Sequence, residues 1–365
     1  MKIAILGTRG IPANYGGFET FAEQLSVRLV ARGHDVTVYC RFHHMQYETN
    51  RYHGVRLVVL PTITHKYFDT VAHTCLSVFH GLFQDFDVVL VCNSINSLFT
   101  VVPRLAGQKV AINVDGLEWQ RAKWNRAGRM AYRFGEWLAT LLPHRVITDS
   151  RNIQMYYDKR FHKPSTFIPY GASVSPPDSE EILGRFNLVP RGYLLYVSRL
   201  EPENNAHRVI AAFERVRTDK RLVIVGDAPY SSDYITDLKK TRDPRIVFTG
   251  YVFGDGYRAL QSNAYLYVQG TEVGGTHPAL LEGLGYGNCV IAHDVPEHRE
   301  VVHDAGLIHD FYDTSGLAGL IERLLKEEEI VAMYRKRAVA RIQAEYTWDR
   351  ITDHYERLFR RMNQE

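Results

Sequence analysis

At 365 residues the chain is too long for one ordinary domain, and two is the default count. A composition of 45% hydrophobic and 23% charged residues, with no excess of glycine or proline, is that of a soluble globular protein and excludes a long disordered tract. The net charge of +3 is uneven: residues 1–170 hold 20 Lys+Arg against 12 Asp+Glu, and the rest 24 against 29. A basic front half suits an anionic partner such as a phosphate, a nucleic acid or an acidic membrane, and equally suits ordinary surface charge. The four cysteines, Cys40, Cys75, Cys92 and Cys289, have neither metal-ligand nor redox spacing and read as small core residues of a reducing compartment. The opening MKIAILGTRGIP is too short an apolar run for a signal peptide, and no stretch approaches the ~20 apolar residues of a membrane span. The expected location is cytoplasmic.

In chain order, strands are predicted at Ile3–Leu6, Val36–Cys40, Val55–Leu60, Val88–Cys92, Val110–Val114 and Arg145–Thr148. They are almost continuously apolar, as strands buried on both faces are. Between the first two, Phe18, Phe21, Ala22, Leu25 and Leu29 form one helical stripe that Gly33 can end. This is βαβ grammar and implies a parallel sheet covered by helices. The grammar restarts after Ile168-Pro169-Tyr170-Gly171 with Tyr193–Val197, Leu222–Val225, Ile246–Thr249, Ala264–Val268 and Cys289–Ala292. Trp348–Met362 reads as one polar-faced helix.

Four segments carry candidate chemistry. Gly7-Thr8-Arg9-Gly10 through Gly16-Gly17-Phe18-Glu19 joins a strand to a helix, where glycines let backbone amides approach an anion. It is neither the GxGxxG fingerprint nor a P-loop: Arg41, not an acid, ends the second strand. A loop that merely needs glycines to turn is the rival reading. Ser198-Arg199-Leu200-Glu201-Pro202-Glu203-Asn204-Asn205 follows a strand, and Arg199 offers a fork suited to a diphosphate or a surface pair with Glu201 or Glu203. Thr271-Glu272-Val273-Gly274-Gly275-Thr276-His277-Pro278 opens a helix behind two glycines. The free amides at Gly275, Thr276 and His277 can cradle a phosphate, and Glu282, one turn in, can accept two hydrogen bonds from a ribose diol. Asp115 and Glu118, at the end of a buried strand beside Trp119 and Trp124, suit acceptor binding or base work. Beyond them Arg126, Arg129 and Arg133 share a helical face with aromatics nearby. Such a helix can lie on an anionic membrane or pack with a solvated edge.

Together these segments resemble the retaining glycosyltransferases of GT-B fold (family 4-like). The resemblance rests on Gly16-Gly17, Gly33–Val38, Ser198-Arg199-Leu200, the segment ending at Glu282, and Tyr346-Thr347-Trp348-Asp349. The wording of GTRGIPANYGGFET, DGLEWQRAKW, SRLEPENN and EVGGTHPALLEG is similar to a bacterial rhamnosyltransferase-type branch of surface polysaccharide synthesis. It implies an α/β fold of two Rossmann-like domains with parallel sheets facing across a cleft. Residues 1–170 would form the acceptor-side domain, 171–345 the donor domain, and 346–365 a helix returning to the first. The implied activity transfers a sugar, L-rhamnose from a dTDP donor as first choice, to a hydroxyl of a saccharide or lipid-linked acceptor with retention. Gly16, Gly17, Arg199, Asn204, Gly275, Thr276 and His277 would hold the diphosphate, Glu282 the ribose, and Asp115, Glu118 and Glu272 the reacting sugars. No cofactor, metal or nucleic acid is expected, since no carboxylate cluster for a divalent ion is evident. Peripheral contact with the inner membrane surface stays open. A nucleotide-sugar epimerase of the same shape and a non-catalytic nucleotide-sugar-binding protein are the alternatives.

Two positions depart from the family pattern. Gly274 stands eight residues before Glu282, where a glutamate is usual, and Asn204 stands where a lysine is usual. Glu272, before two glycines, is expected to be held too loosely for a covalent nucleophile and better suited to hydrogen-bonding sugar hydroxyls.

Overall fold

A computed structural model describes every residue except 15, 46–48, 66–67, 175–179 and 229–230. Tyr15, part of the first glycine-rich motif, lies outside the described residues. The chain divides into two compact units, Met1–Gly171 with Trp348–Glu365, and Ala172–Thr347.

The first unit is built on strands β1 (Lys2–Leu6), β2 (Asp35–Arg41), β3 (Arg51–Tyr52), β4 (Val55–Leu60), β5 (Val88–Cys92), β6 (Lys109–Asn113), β7 (Arg145–Thr148) and β8 (Thr166–Phe167). Their order is β3-β4-β2-β1-β5-β6-β7-β8, and only β3, paired to β4, runs antiparallel. The central strands are buried on both faces, which is why they read as unbroken apolar runs. Helix α1 (Gly17–Ala31) buries Phe21, Ala22, Leu25 and Leu29 and stops before Gly33, whose φ of 84° an L side chain rarely adopts. The C-terminal helix Trp348–Gln364 packs beside α1, with Ile351, Tyr355, Phe359 and Met362 fully buried. Its Tyr355 hydroxyl accepts from Asn113 Nδ2 at 3.0 Å, tying it to the end of β6.

Helices α2 (Asp69–Gly81), α3 (Val101–Leu105), α4 (Arg126–Ala139) and α5 (Arg151–Phe161) belong to one layer over the sheet. Val78, Ala139, Ile153 and Tyr157 enter a shared core with Ala4, Val89 and Ile112. Side-chain caps fix two starts: Asn125 accepts from Gly128 N and Ser150 from Ile153 N.

The second unit has six parallel strands, β9 (Tyr193–Val197), β10 (Arg221–Val225), β11 (Ile246–Gly250), β12 (Leu266–Gln269), β13 (Cys289–His293) and β14 (Leu307–His309). Their order is β11-β10-β9-β12-β13-β14. Helices α6 (Ala206–Phe213), α7 (Ser232–Leu238), α8 (Gly254–Asn263), α9 (Pro278–Gly285) and α10 (Pro296–Val302) connect them. The chain winds outward from β9 to β11, then restarts at β12 and winds the other way. The carboxyl ends of β9 and β12 therefore flank a topological switch point, where open α/β sheets bind ligands.

Candidate active site

In the second unit, the segments leaving β9 and β12 are stitched together. Glu272 N donates to Glu203 O at 3.0 Å, and Asn205 Nδ2 donates to Gly270 O at 2.9 Å. A Cβ at Gly270 would stand 2.6 Å from Asn204 O, so only glycine permits this approach.

Arg199 is partly exposed, its guanidinium 3.9 Å from the Glu201 carboxylate. Asn204 does not face outward. It is 2% exposed and its amide donates to Arg199 O at 2.7 Å, so it shapes the loop that carries Arg199. Its Oδ1 is buried without a partner, and an acceptor there offers nothing to an anion.

The expectation that Glu272 is loosely held is overturned. Its Oε1 accepts from Asn205 Nδ2 at 2.8 Å. His293, at the end of β13, lies 3.6 Å away through Nε2. Phe311 N–H donates to His293 Nδ1, so Nε2 carries the ring proton and points it at the carboxylate. Burial holds the His293 pKa down, against the pull of Glu272, which keeps the ring neutral. The Tyr312 hydroxyl also bonds Glu272, and that bond raises its pKa. The glycines lie after the anchor and do not loosen it.

A Cβ at Gly274 would lie 2.4 Å from His277 Nε2, so a glutamate at this position would displace the His277 ring. The ring is fixed. His298, fully buried, lies 2.8 Å from His293 O through Nδ1 and 2.9 Å from His277 Nδ1 through Nε2. A carbonyl only accepts, so His298 Nδ1 carries its proton; burial holds its pKa down to about 4, and Nε2 is left to accept from His277. His277 is the N-cap of α9, followed by Pro278 at the first helical position. The amides at Gly275–His277 sit at the positive end of that helix.

Glu282 accepts from Tyr257 Oη at 2.6 Å, and Tyr257 in turn accepts from Gln261. Burial raises the Glu282 pKa to about 7, with the tyrosine pulling it back. One carboxylate oxygen is therefore engaged.

In the first unit, the loop after β1 is held from within. Glu19, buried, accepts from Arg9 N at 2.9 Å, and Glu23 from Ala13 N at 2.6 Å. Gly16 caps α1 in extended conformation without a side-chain hydrogen bond, and Gly17 opens the helix. Burial raises the Glu19 pKa against that Arg9 amide and the Arg9 and Arg41 charges. Arg41 is buried in an ion pair with Asp69. Among the described residues one group has metal-type donors, His43, His44 and Asp69, within 4.8 Å of one another. Burial, then the Arg9, His43 and Arg41 charges, holds the His44 pKa down to about 4.

Asp115 and Glu118 differ. Asp115 takes a positive φ of 55° after β6, accepts from Tyr170 Oη at 3.2 Å and shares a hydrogen bond with Asp149. Burial, then the Glu118 charge, raises its pKa. Glu118 is engaged locally: Arg121 Nε donates to it at 2.6 Å, Trp124 Nε1 at 3.3 Å, and Lys123 Nζ is 3.8 Å away.

Over 99% of its length the chain superposes on sucrose-phosphate synthase from Thermosynechococcus elongatus, with TM-score 0.82, 18% identity and 98% of that chain covered. Anabaena HepE in complex with UDP and glucose follows at TM-score 0.78 and 17% identity, covering 98% of this chain and 99% of that one. Residues 191–327 match the family model for glycosyl transferases group 1, and residues 1–173 match a domain of unknown function, DUF1972. The chain has the GT-B fold of these structures. In sequence, O-antigen chain mannosyltransferase B of Escherichia coli is 26% identical over 52% of this chain and 50% of that protein. N-acetyl-alpha-D-glucosaminyl L-malate synthase of Bacillus anthracis is 24% identical over 59% and 55%. The chain thus matches about half the length of these relatives. The group 1 match contains Arg199, Asn205, Glu272, His277, His293, His298 and Glu282.

Proposed function

We propose that the protein transfers a sugar from a nucleotide-diphosphate donor to a hydroxyl of a saccharide or lipid-linked acceptor, with retention at the anomeric carbon and without a metal ion. One observation carries the reading. The loops after β9 and β12 are bonded together at the switch point, and they present Arg199, a firmly held Glu272 and the N-terminus of α9. Arg199 and the amides at Gly275–His277 bind the diphosphate; Glu282, through its second oxygen, binds the ribose. Asn204 acts by positioning Arg199. The HepE structures carry UDP and UDP-glucose, which supports a nucleotide-sugar donor here.

Glu272 is held by an amide and a phenol, with a neutral imidazole 3.6 Å away, surroundings that suit it to orienting sugar hydroxyls. The acceptor oxygen bonds the anomeric carbon as the bond from that carbon to the diphosphate oxygen breaks. Both events occur on one face, and the acceptor proton passes to the leaving phosphate. Negative charge builds on that phosphate, so Arg199 and the helix N-terminus supply most of the stabilisation. Asp115 orients the acceptor, and L-rhamnose from a dTDP donor, in surface polysaccharide synthesis, is the first donor to test.

The test is a thermal-shift screen of nucleoside diphosphates and nucleotide sugars, where a ligand at 100 times its Kd stabilises by about 2.7 kcal/mol. NMR of the product of the best donor follows. No stabilised melting with any nucleotide, or a product of inverted anomeric configuration, overturns the proposal. Interconversion of the donor sugar without acceptor would make the protein an epimerase. Activity should survive EDTA; restoration by magnesium after its loss would overturn metal independence.

A further inference from the structure

The helical layer α2–α4 of the first unit ends outward in a surface that a solvated helix edge does not explain. Its three neighbouring segments are α2 with the turn after it, the 3-10 turn Ser94–Thr100 running into α3, and α4. From them project Phe79, Phe83, Leu105, Met130, Phe134 and Trp137, with Phe83 and Leu105 more than 80% exposed and Met130 71%. Phe134 and Trp137 lie against each other, ring centroids 5.6 Å apart. Large apolar side chains concentrated on one face mark an interaction surface.

The charges on this face are mostly positive. Arg104, Arg126, Arg129 and Arg133 are exposed among the apolar side chains. Residues 69–85, 94–107 and 126–141 contain three acids, Asp69, Asp85 and Glu136. Asp69 pairs with Arg41, and Glu136 is buried and accepts from Tyr156. Asp85 is exposed beside Phe83, one acid against the four arginines. The next helix of the layer, α5, returns to mixed charge with Asp158, Lys159 and Arg160, which bounds the patch.

We propose that this face docks the protein onto a bilayer containing anionic phospholipid. Arginine forks meet lipid phosphates, while the aromatic and aliphatic side chains enter the boundary between headgroups and acyl chains. Trp137 suits that boundary, being apolar with one polar edge. A second copy of the chain is disfavoured as occupant, since a two-fold contact would set the arginines of one copy against those of the other. Docking would bring the first unit to a lipid-linked acceptor; that purpose rests on the transferase reading, whereas the docking itself does not.

Flotation with phosphatidylcholine vesicles, with and without phosphatidylglycerol, tests it on the whole chain. Binding is expected only with the anionic lipid. Arg126→Ala/Arg129→Ala should weaken it by at least about tenfold. Phe134→Ser/Trp137→Ser should also weaken it, with nucleotide-sugar binding in calorimetry unchanged for both. The arginine variant loses no buried side chain, so it keeps the test valid should the aromatic one fold poorly. No binding to anionic vesicles overturns the proposal, as does binding that both variants retain. So does a wild-type dimer in light scattering that Phe134→Ser/Trp137→Ser turns monomeric while vesicles are ignored. Vesicle binding by a protein that binds no nucleotide sugar supports docking and sinks the transferase reading alone.

Discussion

Glu118 and Glu272 each follow a buried parallel strand by a few residues, yet their surroundings divide them. Arg121, Lys123 and Trp124 gather around Glu118, so its charge is answered within its own loop. Glu272 is gripped by Asn205 and the Tyr312 hydroxyl, with His293 3.6 Å away, so its carboxylate is oriented without being cancelled. An acid held by cations is a structural tie. One held by neutral donors keeps a directed charge for a ligand.

The largest effect is expected at Glu272. Glu272→Gln should lower turnover by about 10- to 1,000-fold, the range of lost positioning and hydrogen bonding, with the donor's anomeric configuration kept in the product. A sugar found covalently on Glu272 by mass spectrometry would break the account. Asn205→Ala should then cost about tenfold in kcat with donor Kd unchanged, because it frees the carboxylate without removing it. An unchanged kcat would show that the grip is irrelevant.

Arg199→Ala should raise the donor Kd by one to two orders of magnitude, a charge-assisted contact being worth roughly 1.5–3 kcal/mol. Calorimetry with a nucleotide sugar reads this directly; an unchanged Kd would leave Arg199 a surface partner of Glu201.

The architecture was open to sequence reading because strands buried on both faces spell themselves out. Predicted Ile3–Leu6 and Cys289–Ala292 fall inside β1 and β13, while Ala264–Val268 begins two residues before β12. The anchors of the site were not readable. His293 reaches Glu272 because β13 lies beside β12, with Gln269 opposite Ala292, an adjacency between residues far apart in sequence. His298, on α10, acts through His277 across 21 residues of sequence, and nothing local marks it. Gly274 could be flagged as a departure, but its reason, room for the His277 ring, is a matter of packing.

A smaller effect is expected from pH at Glu282. Its pKa stands at about 7, above the ordinary 4.5, because burial favours the neutral form. Ribose hydroxyls donate to the ionised form, so donor affinity should rise with pH and level off above about 7, changing at most tenfold per pH unit. In stability the sign is opposite: ionisation in the fold is disfavoured, so this group's cost grows between about pH 4.5 and 7 and is constant above. Glu282→Gln should flatten the binding profile; a profile that persists in the variant assigns the titration elsewhere.

The smallest effect on turnover is expected at Glu118, and it completes the contrast with Glu272. If its carboxylate ties the 118–124 segment, Glu118→Gln should leave kcat within about threefold. Its effect should appear in stability. Arg121 and Glu118 are both largely buried, with side chains 7% and 12% exposed, so removing the negative partner leaves a cation with little water around it. Glutamine still offers a carbonyl to Arg121, which softens the loss to roughly 1–3 kcal/mol. In a unit of this size, 1 kcal/mol shifts Tm by about 2–4 °C, so a fall of several degrees is expected. Calorimetric melting beside steady-state kinetics separates the two roles. A variant that melts like the wild type but turns over a hundredfold more slowly would place Glu118 in the acceptor chemistry after all, and the rule drawn from its cationic neighbours would fail.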